Sequence, residues 1–132
     1  MFPPKPPKGA DPRMYFFLFL LTLGTTLGYQ GWTLLYTNFA VESAHLSAAD
    51  NGLVQSLREV PGLLGFLIIP LLLVMKEHRV AAVAALATGL GTALTGFFPS
   101  FVPVILTTLL MSFGFHFFEA VNQSLLLQYF DV

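Results

Sequence analysis

The protein has 132 residues, of which 55% are hydrophobic and 10% are charged, and it contains no cysteine. Soluble domains carry about 25% charged residues, so a chain this poor in charge has too little polar surface to cover itself in water. The net charge of −1 excludes a broad basic surface for nucleic acid, and the lack of cysteine excludes disulfides and thiolate metal sites. We therefore expect a membrane protein whose main surroundings are the lipid bilayer.

The first segment, residues 1–13, is rich in proline and basic residues ("MFPPKPPKGADPR"). Its prolines prevent a regular helix and favour an extended, solvated tail, which we expect on the cytoplasmic side. From about residue 14 to residue 39 the chain is apolar and has no charged side chain. Such a stretch is long enough to cross a bilayer of about 30 Å, and it predicts the first transmembrane helix.

Three further helices are predicted at about residues 49–75, 79–98 and 103–130, so the transmembrane region covers residues 14–132. Ser47 precedes Asp50 by three residues, a spacing that predicts the N-terminal cap of the second helix. The Arg58–Glu59 charge pair, Pro61 and Pro70 interrupt the apolar sequence of this second helix, and we expect the two prolines to kink it. The prediction is an all-α membrane protein with four transmembrane helices.

Basic residues outside the predicted helices fall on one side of the expected bundle. Three precede the first helix and two, Lys76 and Arg79, lie in the turn after the second. The loops on the opposite side contain no Lys or Arg. Because basic loops stay in the cytoplasm, we expect both termini and the 76–79 turn to be cytoplasmic. The protein is then a multi-pass protein of the cell membrane, which in a bacterium is the inner membrane.

Polar side chains on the first, second and fourth helices are the candidates for a functional site. At about 100° per residue, four polar residues of the fourth helix share one face from near its middle to its cytoplasmic end: Ser112, His116, Glu119 and Gln123. The first helix has a stripe of threonines and tyrosines. The third helix instead has a face of small residues suited to close packing, formed by Ala85, Gly89, Thr92 and Gly96. The candidate lining of a polar cavity is Tyr29, Gln30, Gln55, Arg58, Glu59, His116, Glu119 and Gln123.

The charged candidates, Arg58, Glu59 and Glu119, are the most informative. A charge near the bilayer centre costs about 2.5–3.5 kcal/mol on insertion scales, so such a residue usually faces a cavity or a partner. Adjacent residues of a helix point about 100° apart, and we therefore expect that Arg58 and Glu59 do not simply neutralise each other. At least one of them should have a partner on another helix.

The layout of the chain resembles the first four helices of a major facilitator superfamily permease. The resemblance rests on the outer segment "LSAADNGLVQSL", the short basic turn "KEHR", the third helix ending in "GFFPSF", and "LLMSFGFHFFEAVNQSL" in the fourth helix. Of the family's motif after the second helix only Arg79 is kept, since Pro70 and Val74 stand where Gly and Asp are usual. The resemblance implies that the first and fourth helices line a central cavity and that the second belongs to a gate. It also places Lys76 and Arg79 in the cytoplasmic gate loop.

A secondary transporter is the function that this resemblance implies: a permease that moves a small solute by alternating access, present as a fragment of a twelve-helix protein or as a truncated form. Its partners are the bilayer, an unknown solute, and further helices of a longer chain or other copies of itself. The residues leave an alternative open, a small four-helix membrane protein that acts as an oligomer or as an interaction subunit of a larger membrane complex. No nucleophile–base spacing or metal-ligand cluster is present, so we expect neither an enzyme nor a metal or other cofactor.

Overall fold

The computed structural model describes residues 11–129, and every regular element in that range is helical. The all-α prediction is therefore confirmed for these residues. The elements are α1 (Pro12–Asn38) with a π-helical turn at Phe39–Ser43, α2 (Ala48–Leu63), a 3-10 turn at Gly65–Leu67, α3 (Ile68–Val74), α4 (Glu77–Thr95) and α5 (Phe101–Tyr129). Most of the predicted tail, residues 1–10, and the last three residues, 130–132, lie outside the described residues.

Helix α1 begins two residues before the predicted start at Met14. The side chain of Asp11 accepts a hydrogen bond from the backbone N–H of Arg13 at 2.9 Å, and Pro12 occupies the first helical position. Proline is well tolerated there, because the N–H it lacks would have no partner in the first turn. The helix ends in the π-helical turn, and His45 follows with a φ of 51°, a left-handed conformation that stops the helix.

Helix α2 begins with the predicted cap. The Ser47 hydroxyl accepts from the backbone N–H of Asp50 at 3.2 Å, and the Asp50 carboxylate accepts from the backbone N–H of Ser47 at 3.1 Å. This reciprocal pair is a capping box, and it satisfies two backbone donors that have no partner within the helix. The prediction that Ser47 caps this helix is confirmed.

The second predicted helix, 49–75, is not continuous. It is divided into α2 and the shorter α3, which are bent by 45° relative to each other across the 3-10 turn. Pro70 has no N–H to donate to the carbonyl of Phe66, and Gly65 is a poor helix former, so the α-helical ladder fails between them. The predicted kink is therefore a break, because the chain loses the α-helical pattern for about one turn between Pro61 and Pro70.

Helix α5 runs antiparallel to both α1 and α4: along α1, Thr22 contacts Asn122 and Tyr29 contacts Phe115. Thr92 on α4 donates to the carbonyl of Gly28 on α1 at 3.3 Å, and α4 and α5 form an antiparallel hairpin. The most extensive interface is that between α4 and α5. Two buried apolar clusters fill the bundle: one surrounds Trp32 and Tyr36, and the other surrounds Leu18 and Phe118 near the opposite end.

The predicted small-residue face of α4 contacts α1, where Thr92 meets Gly28, and a different face of α4 approaches α5 most closely. A Cβ added at Gly91 would overlap the backbone of Met111, and a Cβ added at Gly114 would lie 2.5 Å from the carbonyl oxygen of Ala84. By contrast, a Cβ added at Gly89 would meet nothing within 4 Å. Glycine therefore permits the close approach of the two backbones, but it does so at positions 91 and 114 rather than along the predicted face.

Within residues 11–129, α5 is the only unbroken helix that is both long enough and apolar enough to cross a membrane. Helices α2 and α3 reach the same standard together if the bent pair is counted as one span. Helix α1 is long, but its threonine, tyrosine and glutamine side chains lower its mean hydropathy. Helix α4 is rich in alanine, glycine and threonine. The four predicted transmembrane helices thus stay a prediction.

Candidate functional site

A groove of about 290 Å³ lies between α1 and α5. Helix α1 contributes three threonines and two larger polar side chains: Thr22, Thr25, Thr26, Tyr29 and Gln30. Helix α5 contributes Phe115, Phe118, Glu119 and Asn122. Because several of these polar side chains are exposed, the groove is open to the outside of the bundle along α1. Three predicted cavity residues, Tyr29, Gln30 and Glu119, are brought together here.

Glu119 is the acidic side chain of this groove. It is exposed, and it makes no hydrogen bond or ion pair with any residue in the range 11–129. The neighbouring Asn122 is buried, and its side-chain oxygen accepts a long hydrogen bond of 3.4 Å from the Thr22 hydroxyl. The groove therefore contains one carboxylate that is free to interact with something outside the described residues.

An aromatic wall stands beside this carboxylate. The rings of Tyr29 and Phe115 are stacked, with their centroids 3.8 Å apart and their planes 13° apart. Thr25 also lines the groove, but this residue is 2% exposed, and its buried hydroxyl oxygen has no hydrogen-bond partner among the described residues. Phe115 is a groove residue that the sequence prediction does not include, although its position four residues before Glu119 places both on one helix face.

The polar strip predicted on α5 is divided between two interfaces. The hydroxyl of Ser112 donates to the backbone carbonyl of Arg58, and the imidazole of His116 packs against Gly62, so both residues face α2. Glu119 faces α1, and Gln123 is exposed. The four side chains therefore do not share one cavity.

Arg58 and Glu59 form an ion pair, which corrects the expectation that they could not neutralise each other. The guanidinium donates to Glu59 Oε1 through Nε at 2.9 Å and through Nη2 at 2.6 Å. The long arginine side chain bends back along the helix, which an argument from Cβ directions does not allow for. It also lies over the ring of Trp32 on α1, with the guanidinium carbon 5.4 Å from the ring centroid.

Trp32 belongs to an aromatic pair at the end of α1. Its ring stacks on Tyr36 with the centroids 4.3 Å apart, and both side chains are buried. The indole N–H and the Tyr36 hydroxyl have no hydrogen-bond partner among the described residues. Gln55, the remaining predicted residue of α2, is half-buried, and it does not line the α1–α5 groove.

Both predicted gate residues, Lys76 and Arg79, are exposed. Lys76 is the N-cap residue of α4, and Arg79 lies in the first turn of this helix, which begins at Glu77 and not at the predicted residue 79. The carboxylate of Glu77 accepts from the side-chain amide of Gln128 at 2.7 Å. Arg13 and His78 line one shallow groove, so the N-terminal ends of α1 and α4 lie at the same end of the bundle.

Metal-ligating side chains do not gather in groups of three within the described part of the chain. Comparison of this chain with known protein families, with curated proteins and with solved structures finds no match.

Proposed function

We propose that this chain is part of a membrane permease that carries a small solute by alternating access, and that the groove between α1 and α5 is one wall of its pathway. One observation carries the proposal: Glu119, an exposed and unpaired carboxylate within 11–129, lies well inside the helix best suited to cross a membrane, as the nineteenth of its 29 residues. A charge at such a depth costs several kcal/mol unless it faces a cavity or a partner, and residues of this kind usually mark a transport pathway.

A four-span arrangement is part of this proposal, and helix length supports it. At 1.5 Å per residue, the 27 residues of α1 extend about 40 Å and the 19 residues of α4 about 28 Å, close to or above the thickness of the hydrocarbon layer. Large apolar side chains are exposed along the helices, Leu34 and Leu73 among them, and lipid is the natural solvent for them.

The proposed orientation places both termini and the 76–79 turn in the cytoplasm. Arg13 and His78 line one groove, so the basic residues of these two segments share one end of the bundle. Clustering of basic side chains at one end is the pattern expected of a cytoplasmic face.

Further helices should cover the groove in the assembled protein, supplied by a longer chain or by another copy. Polar side chains of α1, including Thr26 and Gln30, would otherwise face lipid, which offers them no hydrogen-bond partner. In secondary transporters the solute site lies at the interface between two sets of helices, and the open side of this groove is suited to such an interface.

Solute counterflow tests the proposal. The full-length native protein is reconstituted in liposomes loaded with unlabelled organic cations, organic anions, amino acids or sugars, and the uptake of the labelled compound is measured. We expect uptake for one class, reduced at least tenfold by Glu119→Gln. Glu42→Gln, a matched change in the turn after α1, should leave the rate unchanged, because Glu42 lies away from the groove.

A native counterflow rate in the Glu119→Gln variant, with the same detergent elution profile as the parent protein, would remove Glu119 from the mechanism. The absence of counterflow for every class would leave the alternative, an interaction subunit whose groove is filled by a helix of another protein.

A further inference from the structure

We infer that the groove between α1 and α5 binds a small organic cation, with Glu119 as its counter-charge and the Tyr29–Phe115 pair as its aromatic wall. This inference rests on the proposed function and specifies the solute class of the same site.

The charge balance of the groove is the first argument. Glu119 is its one carboxylate, and no Lys, Arg or His lines it among the described residues. Arg58 is engaged by Glu59 and Trp32, and His116 faces Gly62. A solute in the groove therefore meets a negative potential that no nearby basic side chain offsets, and this potential attracts cations and repels anions.

The hydrogen-bonding groups of the groove are the second argument. Thr22 is an exposed residue of the groove; its hydroxyl donates to Asn122, and its oxygen can still accept a hydrogen bond from a solute. Among the described residues, the Asn122 side-chain oxygen is partnered only by this long bond from Thr22. Together with the Glu119 carboxylate, these oxygens can accept from the N–H or O–H groups of an ammonium compound.

The stacked rings of Tyr29 and Phe115 are the third argument. Aromatic faces attract ammonium and quaternary ammonium groups, most strongly where water is excluded. A carboxylate beside an aromatic face compensates a cation for part of its lost hydration, whereas a neutral solute of the same shape gains much less. The groove, at about 290 Å³, lies near the lower limit of small-molecule pockets and so suits a small solute.

Binding of choline to the purified full-length protein tests this inference, with 3,3-dimethyl-1-butanol as a neutral compound of nearly the same shape. Tetraethylammonium and agmatine extend the cation series, and isothermal titration calorimetry gives each Kd. We expect at least one of the three cations to bind at least tenfold more tightly than the neutral alcohol. Glu119→Gln should weaken binding of that cation at least tenfold, and Glu42→Gln should not change it.

Three results would overturn the inference. They are equal binding of choline and the neutral alcohol, undiminished cation binding by Glu119→Gln, and no binding of any of the three cations. The counterflow experiment tests the proposed function separately. Counterflow of a sugar or an anion without cation binding would retain the permease and reject the cation. Cation binding that depends on Glu119, without counterflow of any solute, would retain the site and reject transport.

Discussion

The guanidinium of Arg58 on α2 lies over the indole ring of Trp32 on α1, with its central carbon 5.4 Å from the ring centroid. The same guanidinium is held by Glu59, so it has an anionic partner and an aromatic partner at once. The charge of Arg58 is thus accommodated without any carboxylate from α5. This leaves Glu119 unpaired among the described residues and available in the α1–α5 groove.

Replacing Arg58 by Gln should uncover Trp32. The variant removes the cation–π contact, and it leaves Glu59 without its ion-pair partner. Because Trp32 is the one tryptophan of the sequence, its fluorescence reports this contact directly. We expect the Stern–Volmer constant for quenching by acrylamide to rise about twofold. Arg79→Gln, an equal change of charge in the 76–79 turn, should leave quenching unchanged; equal quenching in the Arg58 variant and the parent would show that Arg58 does not shield the ring.

Replacing Gly91 by Ala should weaken the α4–α5 interface. The added Cβ would overlap the backbone of Met111, and overpacking of this kind typically costs about 1–3 kcal/mol. Gly89→Ala is the matched control on the same helix, since a Cβ there meets nothing within 4 Å and Ala favours the helix. The free energy of unfolding by SDS titration should fall for the first variant and stay equal or rise for the second. Equal values for both variants would contradict the close approach at Gly91.

Removing the α2 cap with Ser47→Ala should destabilise the protein by about 1 kcal/mol, the usual effect of losing a capping hydroxyl. The backbone N–H of Asp50 loses its acceptor, so hydrogen exchange at the start of α2 should also accelerate. Ser43→Ala serves as the control, because Ser43 is exposed and its side chain has no hydrogen bond with residues 11–129. Unchanged exchange at Asp50 would argue against the capping box.

Single cysteines should map the groove, since the sequence contains no cysteine of its own. In native membranes, Gln30→Cys and Glu119→Cys should react with a charged, membrane-impermeant thiol reagent. Val121→Cys, which is 1% exposed, should not react, and neither should Leu27→Cys, which is exposed but proposed to face lipid. If the two groove positions were as unreactive as Val121→Cys, another helix would occupy the groove, as the interaction-subunit alternative requires.

Features set by a few neighbouring residues could be predicted from the sequence. The capping box of α2 needs only Ser47 and Asp50 three residues apart, and the helices follow from long apolar stretches between polar turns. The division of α2 and α3 could not be foreseen in the same way. Proline inside a helix can kink or end it, and the surrounding contacts decide between the two.

The candidate site was harder to predict. The spacing of residues along a helix shows which of them share a face, but it does not show which other helix that face contacts. Ser112 and Glu119 share a predicted strip, yet the first contacts α2 and the second faces α1, since α5 packs between those two helices. The Arg58–Glu59 pair depends on the bend of a flexible side chain, which spacing alone does not specify. Sequence reasoning did identify Tyr29, Gln30 and Glu119 as cavity candidates, and these do line one groove.

The hairpin of α4 and α5 has a consequence for the order in which the protein assembles. Its two helices are joined by the short segment 96–100, and their backbones touch at Gly91 and Gly114. Contacts between helices this close in sequence cost little loop-closure entropy, so the hairpin can form as soon as both helices have been synthesised. Helices α1 and α2, which are made earlier, must then wait for α5 before the Thr22 hydroxyl and the backbone carbonyl of Arg58 find their partners on it. The groove is accordingly a late product of folding, completed by the last helix of the described chain.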